Sequence, residues 1–288
     1  MIQIRDGRIL RRADKELLVI EAWGKNGLRV RATQNHEFHS DEERSALTPE
    51  GAAVPEGAVQ ISTDGKSAVI ANGRIRCEVM VTGKLKFYNR KGELLLEEYD
   101  RNRFREEVEG EFNSALEICP RTFTPISGTD NYKLTVRFEP NDGEKIYGMG
   151  QYQQPYLDMK GCIVELSHRN SQASVPFALS NKGYGMLWNN PAVGSVTFGK
   201  NLTEWTALST RQMDYWITAG DTPAQIEEAY AQGSHDAGFW DGLLAVQAAL
   251  SDSGGASGGG QGIQAQRAAH FRDRGRLFSL APPGRLEI

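Results

Sequence analysis

Apolar and polar residues alternate along several short stretches between Met1 and Gln232, which is the pattern of β-strands with one buried face. In Tyr132–Phe138 every second side chain is apolar. Four other stretches show a similar pattern: Gly27–Thr33, Arg74–Val81, Lys84–Tyr88 and Met213–Thr218. Turn-forming residues occur between such stretches at three places: Asn72-Gly73, Asn141–Gly143 and Asn181–Gly183. Many short strands at close spacing predict a mainly β fold, a large antiparallel β-sandwich.

One helix is predicted after the last of these strands, in the segment DTPAQIEEAYAQ, Asp221–Gln232. Thr222 is a good N-cap, Pro223 suits the first helical position, and Gln225 completes a capping box with the threonine. Three apolar side chains then fall on one face: Ile226, Ala229 and Tyr230. We therefore expect one short helix that closes the β domain.

The composition changes at Gly233. The last 56 residues hold 11 of the 31 glycines, and the strand period disappears. We expect a β-sandwich domain over 1–232 and a poorly ordered tail over 233–288, because a segment without apolar periodicity cannot offset the entropy of ordering. A Gly/Ser linker would explain the glycines but not apolar residues such as Phe239 and Trp240. The arginines of the tail lack the regular spacing with interleaved aromatic residues that favours nucleic-acid binding.

Composition narrows the classes of function. The chain has 288 residues, a net charge of −4 and a pI near 5.8, so it has no basic field that would attract nucleic acid or an anionic membrane. No apolar run reaches the ~18 residues of a membrane span, and the N-terminus lacks the apolar region of a signal peptide. Cys77, Cys119 and Cys162 lie far apart, which argues against a disulfide framework. We expect a cytoplasmic protein without nucleic-acid or membrane partners.

The short motifs that bind cofactors or metals are incomplete. Gly148-Met149-Gly150 lacks the third glycine of a dinucleotide motif and precedes no predicted helix. His36 and His39 would face opposite sides of a strand, which does not favour a shared metal ion. We therefore predict no cofactor and no metal site.

Two long stretches and one short one carry a family resemblance. Tyr147–Ala192, Thr203–Ala231 and the shorter Glu21–Thr33 resemble the N-terminal domain of glycoside hydrolase family 31, which contains α-glucosidases and α-xylosidases. The resemblance covers nearly all of 1–232. It implies a galactose-mutarotase-like β-sandwich in front of a (β/α)8 barrel, and a parent protein that self-associates. It also implies retaining catalysis by two carboxylates that both lie on the barrel.

The resemblance further implies that one loop of the sandwich reaches the pocket of the barrel. Family members often read Asn-Arg-Asp there, and the aspartate contacts the sugar. The matching stretch in this chain reads SHRNSQ, Ser167–Gln172, and it places Asn170 where the family has the acid. An amide still donates to and accepts from a hydroxyl. We predict Asn170 as a substrate-binding residue on this resemblance alone.

Aromatic and amide side chains are also concentrated in the turn-rich stretch Tyr152–Asp158. A sugar stacks its CH face on an aromatic ring and needs partners for its hydroxyls, so Gln154 and Tyr156 are further candidate substrate-binding residues. An edge of the sandwich that packs on the barrel would explain the same stretch, and both interpretations stay open. Asp158 and Glu165 could form a carboxylate pair, but their spacing does not demand it. We predict no catalytic residue in this chain.

The tail has a second explanation. Codons exist that encode 233–288 as written and, one nucleotide further on, encode a string that resembles the start of a family 31 barrel. Our hypothesis is a slip of the reading frame near Gln232 and Gly233, followed by early termination at Ile288. The chain would then be the N-terminal fragment of an α-xylosidase or α-glucosidase, inactive alone. The alternative is a non-catalytic carbohydrate-binding or interaction module, and a true mutarotase is disfavoured because the histidines form no convincing acid–base pair.

Overall fold

The computed structural model describes residues 2–13, 15–39, 45–101, 117–170 and 172–234. These residues form eighteen β-strands, a 3-10 helix at Glu50–Ala52 and the helix α1 at Pro223–Gly233. The strands are β1 Ile2–Arg5, β2 Arg8–Ala13, β3 Glu16–Ala22, β4 Gly27–Thr33, β5 Val59–Thr63, β6 Ala68–Asn72, β7 Ile75–Val79, β8 Leu85–Asn89, β9 Leu94–Glu97, β10 Arg121–Pro125, β11 Tyr132–Phe138, β12 Ile146–Gln151, β13 Ile163–Leu166, β14 Ala173–Ser180, β15 Tyr184–Leu187, β16 Gly194–Phe198, β17 Thr203–Thr210 and β18 Met213–Ala219. The predicted poor order of 233–288 concerns residues that, from 235 onwards, lie outside this description.

The strands form three antiparallel sheets, which confirms the predicted fold class. An eight-stranded sheet has the order β1-β2-β3-β4-β18-β15-β14-β12. Two five-stranded sheets have the orders β10-β11-β17-β16-β13 and β5-β6-β7-β8-β9. One layer of the sandwich is therefore a single sheet, and two smaller sheets supply the apolar residues that face it.

Strand β18 lies at the centre of the eight-stranded sheet, where it pairs with β4 on one side and β15 on the other. All seven of its residues are buried. One face of the strand contacts both smaller sheets, because the ring of Tyr215 makes edge-to-face contacts with Phe87 of β8 and Phe138 of β11. The other face carries Trp216, which belongs to a second apolar cluster.

Helix α1 covers that second face, as its predicted apolar stripe requires. Ile226 and Tyr230 are buried there, and the Tyr230 ring stacks on Phe177 at a centroid distance of 4.0 Å. The predicted N-cap is confirmed, because Thr222 Oγ1 accepts a hydrogen bond from the Gln225 backbone N–H. Trp188 is buried as well, in the main core of the sandwich.

A buried ionic cluster joins the three sheets. The Arg121 guanidinium at the start of β10 donates to both carboxylate oxygens of Glu98 and, at 3.0 Å, to Glu16 Oε1 in β3. Glu98 is fully buried and also accepts from the backbone N–H of Leu85 in β8. A charge removed from water needs several partners to offset its desolvation. In this cluster Arg121 comes from β10, Glu16 from β3 and the Leu85 N–H from β8, so each of the three sheets contributes one group.

Candidate functional site

The turn that carries Asn170 lies at one end of the sandwich, next to the first residues after β12. Antiparallel pairing sets Gln151, at the end of β12, opposite Ala173, at the start of β14. Leu166, at the end of β13, pairs with Gly194, which pairs in turn with Ala207 of β17. The turn 167–172, the segment 188–193 and the first residues of the segment 152–162 therefore lie at the same end. We call it the Asn170 end.

Asn170 lies in a tight turn that crosses between two sheets. The turn connects β13 of a five-stranded sheet to β14 of the eight-stranded sheet. Arg169 and Gln172 exchange two backbone hydrogen bonds across it, at 3.4 and 3.1 Å, so that Asn170 occupies a central position of a two-residue loop. Its side chain is exposed and makes no hydrogen bond to another described residue. An exposed amide on a closed turn is free to donate to and accept from a ligand hydroxyl.

The residues behind this turn form a polar network. The Tyr152 hydroxyl is 2.8 Å from the Glu165 carbonyl oxygen and 2.8 Å from Ser174 Oγ. The Arg169 guanidinium donates to both oxygens of the Glu165 carboxylate. His168 Nδ1 accepts from the backbone N–H of Ser174 at 3.4 Å. These contacts tie the ends of β13 and β14 together.

Gln154 and Tyr156 lie in the neighbouring segment that follows β12. The Gln154 side chain is half-buried, and its Nε2 donates to Met159 Sδ at 3.2 Å. Tyr156 is 60 % exposed, and the adjacent Leu157 is 77 % exposed. Among the described residues, no hydrogen bond joins either candidate to Asn170. The segment runs back to the start of β12, where the Met159 N–H donates to the Ile146 carbonyl oxygen at 2.8 Å, so the segment that holds both candidates leads away from Asn170.

The two carboxylates that the sequence offers as a pair lie at opposite ends of the sandwich, and both already have partners. Asp158 Oδ1 accepts from the backbone N–H groups of Ile146 and Lys160, both at 3.0 Å, and so fixes the base of the segment. The hydrogen bond from Arg169 lowers the pKa of Glu165. A general acid needs a raised pKa. Glu165 therefore lacks the environment of an acid catalyst.

A small pocket lies beside Asn189 and Asp214. It measures about 10 Å³, which is room for about one water molecule. Asp214 in its wall accepts two hydrogen bonds from Arg29 and one from Asn189. Burial raises the pKa of Asp214. These polar groups bind each other, and a pocket with room for one water molecule is too small for a sugar.

Sequence reasoning missed the backbone feature that precedes this site. The register of β12 shifts between Gly148 and Gly150, and Met149 there has φ +71° although it is fully buried. Such a β-bulge changes the direction of the side chains that follow. The Gly-Met-Gly triplet was the available signal, but a glycine pair predicts a bulge only once the strand pairing is known.

No helix in the described part of the chain is long and apolar enough to cross a membrane. Nor do the described residues include a group of three or more metal-ligating side chains that could hold a metal ion.

Known proteins match this chain over most of its described length. Residues 17–196 match the family model of the glycosyl hydrolase 31 N-terminal galactose mutarotase-like domain. An uncharacterized family 31 glucosidase, ORF2 of Pseudescherichia vulneris, is 48 % identical over 229 residues, which are 77 % of this chain and 42 % of that protein. An α-xylosidase of Saccharolobus solfataricus is 31 % identical over 126 residues, 38 % of this chain and 17 % of that protein.

Solved structures give the same result. The crystal structure of a family 31 α-xylosidase from a soil metagenome, complexed with xylose, superposes with a TM-score of 0.76 at 47 % identity. It covers 81 % of this chain, which spans 34 % of that protein. A xylosidase from Aspergillus niger superposes with a TM-score of 0.62 at 26 % identity, over 76 % of this chain and 32 % of that one. The chain thus spans less than half the length of these relatives, and it belongs to the family of glycosyl hydrolase 31 N-terminal galactose mutarotase-like domains.

Proposed function

We propose that this chain is the N-terminal sandwich of a retaining α-glycosidase that acts on α-linked xylosides or glucosides. The observation that carries the proposal is the 47 % identity to an α-xylosidase whose structure was solved with xylose. In the parent enzyme the two catalytic carboxylates would come from a barrel that follows the sandwich. The role of the sandwich is then to complete the sugar pocket from outside the barrel.

Asn170 is the residue that we propose for this role. Its side chain is exposed on a turn closed by two backbone hydrogen bonds, which favours a fixed contact over an adaptable one. Tyr156, with an exposed ring, is the proposed stacking surface for the CH face of a sugar. Gln154 is the weaker candidate, because its amide already donates to Met159.

The test uses a gene in which the family 31 reading frame continues past Gln232. Its product is expected to release 4-nitrophenol from the α-xyloside or the α-glucoside. The change Asn170→Ala should lower kcat/KM by about 2- to 12-fold without changing Tm, because one hydrogen bond to a neutral hydroxyl contributes about 0.5–1.5 kcal/mol. The matched control is Asn201→Ala, since Asn201 is an exposed turn residue between β16 and β17, at the opposite end of the sheet.

Two results would contradict the proposal. Hydrolysis of neither substrate by the restored protein would remove the glycosidase assignment. Equal kinetics for the wild type and Asn170→Ala would remove Asn170 from the site while leaving the assignment in place.

We also propose that the tail arises from a slip of the reading frame near Gln232. The proposal rests on the change of composition at Gly233 and on the relatives, which continue well beyond the part that this chain matches. Resequencing of the coding DNA around codons 228–236 tests it. A gene that encodes 233–288 without any interruption of the frame would refute it.

A further inference from the structure

Tyr152 occupies an unusual place between the two layers of the sandwich. It directly follows β12, and its ring packs against the main core. A phenol has one proton to donate and can accept as well. The geometry therefore assigns the proton to the Glu165 carbonyl oxygen, and the Ser174 hydroxyl donates to the phenol oxygen, both at 2.8 Å.

The two partners of this hydroxyl lie on opposite sides of the turn that carries Asn170. Glu165 belongs to β13 in a five-stranded sheet, and Ser174 belongs to β14 in the eight-stranded sheet. A single hydroxyl thus joins the strand that enters the turn to the strand that leaves it. Burial raises the pKa of Tyr152, so the phenol keeps its proton across the neutral range.

The other links around the turn are weaker. Arg169 and Glu165 are 61 % and 49 % exposed, and exposed ion pairs contribute ~0–1 kcal/mol. The hydrogen bond from the Ser174 N–H to His168 is long, at 3.4 Å. Of the two hydrogen bonds of the Tyr152 hydroxyl, the one to the Glu165 carbonyl oxygen is exposed and the one with Ser174 is partly buried. Loss of the partly buried bond has the larger effect on stability.

The β-bulge in β12 brings Tyr152 to this place. A Cβ added to Gly150 would lie 2.2 Å from the Ala173 carbonyl oxygen, so β12 approaches the start of β14 more closely than a side chain would allow. Ala173 directly precedes Ser174, and Tyr152 lies two residues after Gly150. Because the backbones of β12 and β14 approach so closely here, the Tyr152 hydroxyl lies within hydrogen-bond distance of Ser174.

We propose that Tyr152 is a positioning residue that holds the Asn170 turn in the geometry needed to contact the sugar. The inference rests on the proposed function of Asn170. It adds a residue that does not touch the sugar and acts on it only through the turn.

Hydrogen exchange on the 288-residue chain tests whether Tyr152 holds the Asn170 turn in place. Tyr152→Phe removes the hydroxyl and keeps the ring, and Ser174→Ala removes one of its two partners. Both variants should speed exchange of the backbone N–H groups of Arg169 and Gln172 by about 2- to 12-fold. The matched control is Tyr132→Phe, because the Tyr132 hydroxyl donates to Asn35 Oδ1 at 3.2 Å and is likewise partly buried. Exchange that is unchanged in both variants, or equally faster in the control, would overturn the inference.

A double-mutant cycle in the frame-restored enzyme tests whether Tyr152 acts on the sugar through Asn170. Tyr152→Phe should lower kcat/KM at least 2-fold in the wild-type background and by less than 1.5-fold in the Asn170→Ala background. A merely structural effect would lower kcat/KM by the same factor in both backgrounds. If Asn170→Ala alone has no effect, the proposed role of Asn170 fails, and the role of Tyr152 fails with it. If it has an effect and Tyr152→Phe has none, or the two effects multiply, only the role of Tyr152 fails.

Discussion

At the residue scale, three consecutive residues with positive φ form the β-bulge in β12, just before the Asn170 end. Gly148, Met149 and Gly150 have φ of +93°, +71° and +94°. Such angles are open to glycine and are costly for a buried methionine. The surrounding sheet holds the conformation, since β14 lies against both glycines: an added Cβ would meet the Phe177 carbonyl oxygen at 2.6 Å from Gly148.

We expect Gly150→Ala to destabilise the domain by more than the cost of its backbone angle. The new methyl group would lie 2.2 Å from the Ala173 carbonyl oxygen, so β12 and β14 would have to separate. The control is Gly161→Ala, because Gly161 has φ +91° and no atom within 4 Å of an added Cβ. The control should cost about 1 kcal/mol and Gly150→Ala about 2–4 kcal/mol in urea unfolding. Equal costs would mean that the two strands separate freely.

At the element scale, the apolar face of helix α1 packs on the eight-stranded sheet. Ile226 is 1 % exposed and lies against Gly185 of β15, where an added Cβ would be 2.5 Å from its Cγ2 atom. The sheet thus provides a glycine at the point where the helix approaches. The helix in turn covers Trp216 and Phe177, which would otherwise leave an apolar face of the eight-stranded sheet in water.

Ile226→Ala should lower the free energy of unfolding by about 2–5 kcal/mol, because the substitution leaves a cavity between α1 and the sheet. Glu228→Ala on the exposed side of the same helix is the control and should stay within about 0.5 kcal/mol of the wild type. Thermal and urea unfolding measure both variants. A small loss for Ile226→Ala would indicate that the helix contributes little to the stability of the sandwich.

The elements also differ in how far their sequence predicts them. The predicted bounds of β11 and β4 agree with the structure to the residue. In both strands, buried apolar side chains alternate with more exposed polar ones, so the strand period is visible in the sequence. Strand β18 is buried on both faces, so the alternation there does not report exposure. The division into three sheets and the bulge in β12 could not be predicted, since both depend on pairing between residues distant in sequence. Asn170 was found only through a resemblance, because its turn has no local signal for binding.

At the scale of the whole molecule, the buried cluster of Arg121, Glu98 and Glu16 is the connection between the three sheets. Its members are distant in sequence and meet only when each sheet has docked on the others. Burial raises the pKa of Glu98, although the charge of Arg121 opposes the shift. The free energy of this junction therefore depends on pH as well as on packing.

Arg121→Met should cost about 3–5 kcal/mol at pH 7, because it leaves Glu98 buried without its positive partner. A carboxyl group whose pKa is raised by folding contributes stability below its unfolded pKa of about 4.3 and loses that contribution as the pH rises through the folded pKa. The cost of the substitution should thus be smaller at pH 4 than at pH 7. The control is Arg169→Met, which breaks an exposed pair and should change stability by less than about 0.5 kcal/mol. A cost that does not vary with pH would show that Glu98 has the same protonation state in the wild type and in the variant over this range.

We also predict that the chain as written hydrolyses no α-glycoside. The chemistry requires two carboxyl groups about 5–5.5 Å apart, one of them with a raised pKa, around a pocket that holds a sugar. Of the two carboxylates that the sequence offers as a pair, Asp158 already binds backbone N–H groups at the start of β12, and Glu165 already binds Arg169 at the Asn170 end. Release of 4-nitrophenol is measured with repurified protein, free of host glycosidases. Turnover that disappears in Asp158→Ala or Glu165→Ala would reveal a site on the sandwich itself.

The central position of β18 has a consequence for the order of events on the ribosome. Until this strand emerges, β4 on one side and β15 on the other have no common neighbour, and the eight-stranded sheet exists only as two separate halves. Because β18 ends at Ala219 and α1 at Gly233, the nascent sandwich becomes complete just before the proposed change of frame. A ribosome that slips at Gln232 has therefore already made every strand of the sandwich. The shortened product should fold and accumulate where a slip 30 codons earlier would give a chain destined for degradation.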